Sequence, residues 1–467
     1  MLAPIELAAT NHEFFDQYGN PFALVSQRVV LPGEVRPAGI VVQHEKFVAI
    51  TSVNELPADV PVTDLGSSVV SPGMIDAHVH INEPGHTKWE GFTSATKAAA
   101  AGGITCLVDM PLNSLPVTTS RDALLEKHAA AEGQCWIDVG FYGGLVPGSQ
   151  SGLRSLVDSG VIGIKVFLCD SGLKEFPAVT PHDLDEAMPL LSARNIPLLV
   201  HAELVDEHTP SSSLSHLTSY QAYLASRPSR WEVNAIRQMI ELSQRHACPV
   251  HIVHLATSEA LPTIDQAKSV GTRLTVETCP HYLRFASEEI PDGDPRFKCA
   301  PPIRESSHRT QLWDALRRGT LDTIGSDHSP CPPAAKCLTT GDLQSAWGGI
   351  AGLQFSLPSV WSGNGSWQPS LVELSRWMST NPAKLIGFKR QKGSIEVGKD
   401  ADLVVWNPEA SNHIDESNIH HRHKITPYQG LTLQGVVQQT YVRGNMVYDD
   451  GRFASRPIGK MLQRGAS

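Results

Sequence analysis

Six residues in the middle of the sequence are of types that can hold and use metal ions: His78, His80, Lys165, His201, His254 and Asp327. His78 and His80 are two apart, and side chains at i and i+2 of a strand point to the same side, so both imidazoles reach one ion. His201 closes the run IPLLVHAE, His254 closes PVHIVHLA, and Asp327 follows an apolar run in GSDHSP. Each has a plain alternative when taken alone: a core histidine with one hydrogen bond, or an aspartate capping a loop or helix. Lys165 is more telling, because it lies inside GIKVFL, where a buried ammonium is costly. Its plain alternative is snorkelling or pairing with a carboxylate. At neutral pH only roughly one lysine in a few thousand is deprotonated at the usual pKa near 10.4. Burial near a divalent ion lowers that value, and a neutral amine can add CO₂ to become an anionic carbamate with two oxygen ligands. Four histidines, one aspartate and one such carbamate are enough ligands for two ions. Nitrogen and oxygen donors without thiolate suit zinc, with manganese, cobalt and iron left open.

These residues need elements that bring them to one place. Eight short apolar runs recur along the chain: IDAHVH, ITCLVDMP, WIDVGFYGG, VIGIKVFL, IPLLVHAE, PVHIVHLA, LTVETCPHYL and DTIGSDHSP. Amphipathic stretches such as WEGFTSATKAAAAG and SRWEVNAIRQMIELSQRH separate them. Eightfold strand–helix alternation predicts an α/β fold, a (β/α)₈ TIM-like barrel over residues 72–390, with chemistry at the C-terminal strand ends where the six residues fall. Residues 22 to about 70 and the end of the chain read as β-branched strands and hairpins, with a turn expected at Gly444–Asn445. Residues 1–71 and 391–467 are therefore expected to pair into a small β-sandwich. SGNG (Ser362 to Gly365) reads as a surface loop.

Composition narrows the function further. The chain has 467 residues and a formal net charge of −10, which disfavours nucleic acid and anionic membranes as partners. Eight scattered cysteines without a CxxC pair argue against a disulfide framework or a zinc–thiolate site. No apolar run is long enough to span a membrane. MLAPIELAATNHEFF lacks the features of a signal peptide, and RGAS is not a common peroxisomal tripeptide, so a cytoplasmic location is expected. His251 lies three residues from His254, cannot share its face, and is read as structural. The histidine-rich run Ile419 to Lys424 (IHHRHK) is also read as structural.

SPGMIDAHVHINEPG, the lysine in GIKVFL, VHAE, HLATS, ETCPHY and SDHSPCPP together resemble the binuclear cyclic amidohydrolases, over about residues 22–450. Within that family, HINEPG followed by WEGF, DMPLNSLPVTT, FLCDSGLKEFP, KCAPPIR and WGGIAG are similar to the allantoinase branch. The resemblance implies that His78 and His80 bind one ion, His201 and His254 the other, and carbamylated Lys165 both. It implies that Asp327 ligates the first ion and is the catalytic proton acceptor. It also implies a distorted barrel with a β-sandwich, a homotetramer, and a place in purine catabolism, where hydroxide held between two Zn²⁺ ions would open allantoin to allantoate. A metal can lower the pKa of water from roughly 15.7 to about 7. Dihydroorotases carry arginine at the position of Asn82. A neutral amide there suits a ring without a carboxylate. Asn82, Asn113 and Ser329 are the expected substrate contacts, with Trp347, Gly348 and Gly349 shaping the wall. The chain departs from the family at His86, commonly arginine, and at Ala300, serine in some relatives. Dihydropyrimidinase, hydantoinase and dihydroorotase activities are the alternative readings. A non-enzymatic scaffold is disfavoured because all six ligand positions are filled.

Overall fold

A computed structural model of the chain describes residues 19–206, 217–363 and 367–465. The N-terminal segment, part of the SGNG run and the last residues of RGAS lie outside them. Each of the eight apolar runs forms a parallel strand: Met74–Val79, Ile104–Asp109, Asp138–Phe141 continued by Gly143–Gly144, Ile164–Phe167, Leu198–His201, Val250–Ile252, Leu274–Thr278 and Thr323–Ile324. They pair in sequence order, from Met74–Val79 to Asp138–Phe141 in one sheet and from Gly143–Gly144 to Thr323–Ile324 in the next. Tyr142 marks the break between the two sheets, where its amide bonds to Asp109 O. The ring closes just past the short last strand, where His80 N donates to His328 O at 2.8 Å and Val79 bridges His328 in parallel. This is the (β/α)₈ barrel. Helices cover its outside, among them Phe92–Ala101 and the 18-residue Ser229–His246. Alternation sets the two cores: Ile164 and Val166, with Leu198 and Val200, pack outward beneath the helices. Lys165 and Phe167 are left to the interior.

The chain ends form a nine-stranded sheet. Leu403–His413 pairs antiparallel with Val69–Pro72, which joins the two ends of the sequence. Leu24, Ile40 and Phe47 from its first strands share one core with Leu403, Val405, Tyr441 and Met446 from its last, so the sheet closes on itself as a sandwich. The alternate residues Val404 and Trp406 face the barrel core instead. The hairpin turn falls at Arg443–Gly444, one residue earlier than expected. Both residues have positive φ (47° and 73°), which suits a two-residue type I′ turn. Arg443 accepts this backbone because its guanidinium is held by Asp138 and Glu45. Beyond the sandwich, Met461–Leu462 returns to pair in parallel with Val139–Gly140 of the barrel. Among the described residues no helix is long and apolar enough to cross a membrane. All eight cysteines are free thiols.

Candidate metal centre

His78, His80, Lys165, His201, His254 and Asp327 all line one cavity of about 700 Å³. His78, Lys165 and His201 sit on barrel strands, and the other three follow strand ends. Parallel register places Phe167 beside His201 and Lys165 beside Leu199, one step deeper. His254 and Asp327 take left-handed backbone (φ 43° and 45°). Such conformations cost roughly 1–3 kcal/mol at non-glycine residues and are held only by their surroundings. Here the His254 amide donates to Glu277 Oε1 at 3.2 Å. Next to Asp327, the Ser326 amide donates to Asp76 at 3.1 Å. Asp76 also receives the His78 amide, so one buried carboxylate ties the first strand to the last. Gly325 is required for a close approach: a Cβ there would stand 2.4 Å from Glu277 Oε2.

The donor atoms fall into two sets. His78 Nε2 and His80 Nε2 stand 3.2 and 3.3 Å from the same oxygen, Asp327 Oδ1. His201 Nδ1 faces His254 Nε2 at 3.0 Å. Two nitrogens bound to one tetrahedral ion at about 2.0–2.1 Å stand roughly 3.3 Å apart, so both sets suit a shared ion. In each set a buried glutamate fixes one ring from behind. Glu277 Oε1 accepts from His78 Nδ1 at 2.7 Å, and Glu203 Oε2 lies 2.7 Å from His201 Nε2. A carboxylate on the far nitrogen sets the tautomer and aims the near one. Phe167 stacks on His201 at 4.4 Å between centroids and limits its rotation.

Lys165 Nζ and His78 Nε2 are buried at the cavity without a hydrogen-bond partner, as are the far nitrogens of two more rings, His80 Nδ1 and His254 Nδ1. A buried polar atom left unpaired costs about 1–3 kcal/mol, and two of them lining one cavity fit residues built around a ligand. Burial lowers the Lys165 pKa to about 8, against the pull of Asp327 and Glu277. Burial also lowers the His80, His201 and His254 pKa values, which favours the neutral form that can ligate. It pushes the Asp327 and Glu277 carboxyls up, but the neighbouring histidines more than reverse this. Asp327 ends well below the carboxylate range and Glu277 at about 2. The residues thus fit divalent ions: neutral imidazoles, an ionised carboxylate and a lysine primed to lose its proton.

The expected substrate contacts divide. Asn113 and Ser329 line the cavity, as do Trp347, Gly348 and Ala300. Asn82 does not, and its amide donates instead to Pro330 O at 3.2 Å. Its left-handed φ of 67° turns it into the loop behind the rim. Gly349 is set back as well, and a Cβ on it would stand 2.4 Å from Ser329 O. His86 holds the Asn113 carbonyl at 2.7 Å and stacks on Trp89, which meets Trp347 edge-on. It thus braces two cavity residues without lining the cavity. Sequence reasoning missed Glu277, Glu203 and Arg227, although ETCPHY and VHAE already contain the two glutamates. Arg227 lines the cavity and pairs with Glu203. From the IHHRHK run, His421 packs against His328 at 5.6 Å, and no histidine of that run joins a donor group among the described residues.

Residues 69–447 match the model of the amidohydrolase family. The chain is 44% identical over 456 residues to an allantoinase of Arabidopsis thaliana, covering 93% of this chain and 90% of that protein. It is 42% identical to an allantoinase of Saccharomyces cerevisiae, covering 94% and 98%. Among solved structures it is similar to an L-hydantoinase (dihydropyrimidinase) from Arthrobacter aurescens, with a TM-score of 0.86 and 31% identity over 95% of this chain and all of that one.

Proposed function

The chain belongs to the amidohydrolase family, and from that premise we propose that it opens the five-membered ring of allantoin to allantoate at the cavity described above. The enzyme is a cyclic amidohydrolase acting on carbon–nitrogen bonds. The observation that carries the reaction class is the pair of donor sets, each aimed by a buried glutamate. The allantoinase relatives carry the substrate. Hydantoinases share the fold at lower identity, so hydantoin or dihydropyrimidine hydrolysis is the second reading.

His78, His80 and Asp327 would hold one ion, His201 and His254 the other, and Lys165, as its carbamate, both. Zinc suits these donors. When bound, the ions supply the Lewis acidity that polarises a ring carbonyl and acidifies water. Asp327 would be the group that takes a proton from the attacking water. The proton then passes to the departing ring nitrogen. Glu277 and Glu203 keep His78 and His201 in the tautomer that presents a lone pair to the cavity. Asn113, Ser329 and the Trp347 wall orient the ring, and Asn82 shapes the loop behind them.

The reading extends to a division of the chain near residues 71 and 390, a homotetramer and a cytoplasmic location. The test is the initial rate on allantoin, dihydroorotate and dihydrouracil with one metal-quantified preparation grown with zinc and bicarbonate. Fast turnover of allantoin alone is expected. Turnover of dihydrouracil or dihydroorotate instead would keep the chemistry and overturn the substrate. Absence of bound metal would overturn the site.

A further inference from the structure

Five lysines are buried among the described residues: Lys127, Lys165, Lys298, Lys336 and Lys392. Lys127 and Lys392 pair with carboxylates. Lys165 belongs to the metal cradle. Lys298 and Lys336 fit neither group, because neither contacts a carboxylate, and every hydrogen bond described for their ammonium groups goes to a backbone carbonyl. Lys298 Nζ donates to Gln344 O at 2.9 Å and Ala346 O at 2.6 Å. Lys336 Nζ donates to Trp347 O at 3.0 Å, Lys298 O at 3.2 Å and Gly349 O.

Four of these five acceptors lie in Gln344–Gly349, which is neither helix nor strand. A segment without a ladder has carbonyls that need partners, and an ammonium offers three donors. The same segment brings Gln344, Ser345, Ala346, Trp347 and Gly348 to the cavity surface. Trp347 is fixed further by its indole N–H, which lies 3.2 Å from Ser329 O. Burying two cations with no counter-charge is costly. The structure bears that cost at a stretch of cavity wall that lacks regular secondary structure.

We propose that Lys298 and Lys336 are positioning residues, holding Gln344–Gly349 in the shape that sets which rings the cavity accepts. The inference rests on the ring-opening reading for its substrate but not for its mechanics. Lys336 does not line the cavity, so its effect on substrate must pass through the wall. Burial draws both ammonium groups down to about 8. The charged and titratable groups facing Lys298 include Lys336, Arg227, Asp342, Cys337 and Tyr223, whose ring centroid lies 5.3 Å from its Nζ, and those facing Lys336 include Lys298, Cys331, Cys299, Asp294 and Cys337. Proton loss above that pH weakens the charge-assisted bonds to the wall.

The test is Lys336→Met with Lys336→Arg beside it, both loaded with metal. In Lys336→Met, KM for allantoin should rise about tenfold or more, the loss expected for charge-assisted hydrogen bonds, with kcat and metal content unchanged. Its preference for allantoin over dihydrouracil should narrow, and Lys336→Arg should recover part of both. Native KM should climb between about pH 7.5 and 9.5, and this climb should be smaller in Lys336→Met, where Lys298 alone still titrates. Amide hydrogen exchange over residues 342–350 should accelerate in Lys336→Met while the barrel strands stay protected. That readout needs no turnover, so it judges the inference even if allantoin is the wrong ring. Unchanged exchange in that segment, or an unchanged KM and preference, would overturn it. If Lys336→Met does not fold, a flat native KM across that pH range would overturn it equally.

Discussion

At the floor of the cavity His78 Nε2 and Lys165 Nζ are buried without a partner, whereas Lys298 and Lys336 spend their donors on the carbonyls of its wall. The two regions border one cavity and share a residue type, and burial lowers the lysine pKa to about 8 in both. What separates them is satisfaction. Buried donor atoms with no protein partner, gathered on one cavity, fit a site for something from outside. A buried group whose donors are met within the chain is architecture, however close it lies to the chemistry.

Breaking the floor should cost most. Lys165→Ala removes the one group able to become an anionic ligand for both ions. Metal content and allantoin turnover should fall together, on the order of 10³-fold or more in rate. Retained activity with full metal would remove Lys165 from the floor. Asp327→Asn keeps the shape and removes the proton acceptor, so kcat should drop about 10²–10⁴-fold with KM little changed. Glu277→Gln or Glu203→Gln leaves the donors in place but loosens their aim. Metal affinity or activity should fall about 10–100-fold, read by titration with a chelator.

The same two glutamates sharpen the comparison through pH. Burial alone would raise both carboxyls, but His78 beside Glu277, and Arg227 with His201 beside Glu203, bring each from 4.5 to about 2. A depressed carboxyl contributes stability that is present above the ordinary value and is lost as pH falls through the folded one. The urea midpoint of the metal-free protein should therefore decline from about pH 4.5 towards 2, and less steeply in Glu277→Gln. The smallest effect is expected at His86, outside both regions. His86→Arg should change KM by less than about tenfold, because only one hydrogen bond to Asn113 O and one ring contact are exchanged. A larger change would mean that the loop carrying Asn113 belongs to the floor.

Much of this is legible in the one-dimensional pattern. The eight apolar runs announce the barrel because a parallel strand covered on both faces must be apolar along its length. The six polar residues stand out for the same reason, since each interrupts or ends such a run. The pairing of the chain ends is legible in their β-branched strands, although the turn is displaced by one residue to the pair whose backbone can take two positive φ values.

Three things depend on tertiary structure, the first two because the partner lies far along the chain. Glu277 aims His78 from 199 residues away. Its motif is visible in sequence, but its role is not, because local pattern carries no information about which strand closes beside which. Asn82 looks like a substrate contact by position, yet its backbone turns its amide to Pro330 O, 248 residues on. Lys336 reads as an ordinary loop lysine until the fold brings the Lys298, Trp347 and Gly349 carbonyls around it. Sequence alone determines which residues are able to do chemistry, since side-chain type and strand-end position are local. The tertiary structure decides which of them are left unsatisfied and face the cavity, since that depends on burial and on partners that only the closed barrel brings together.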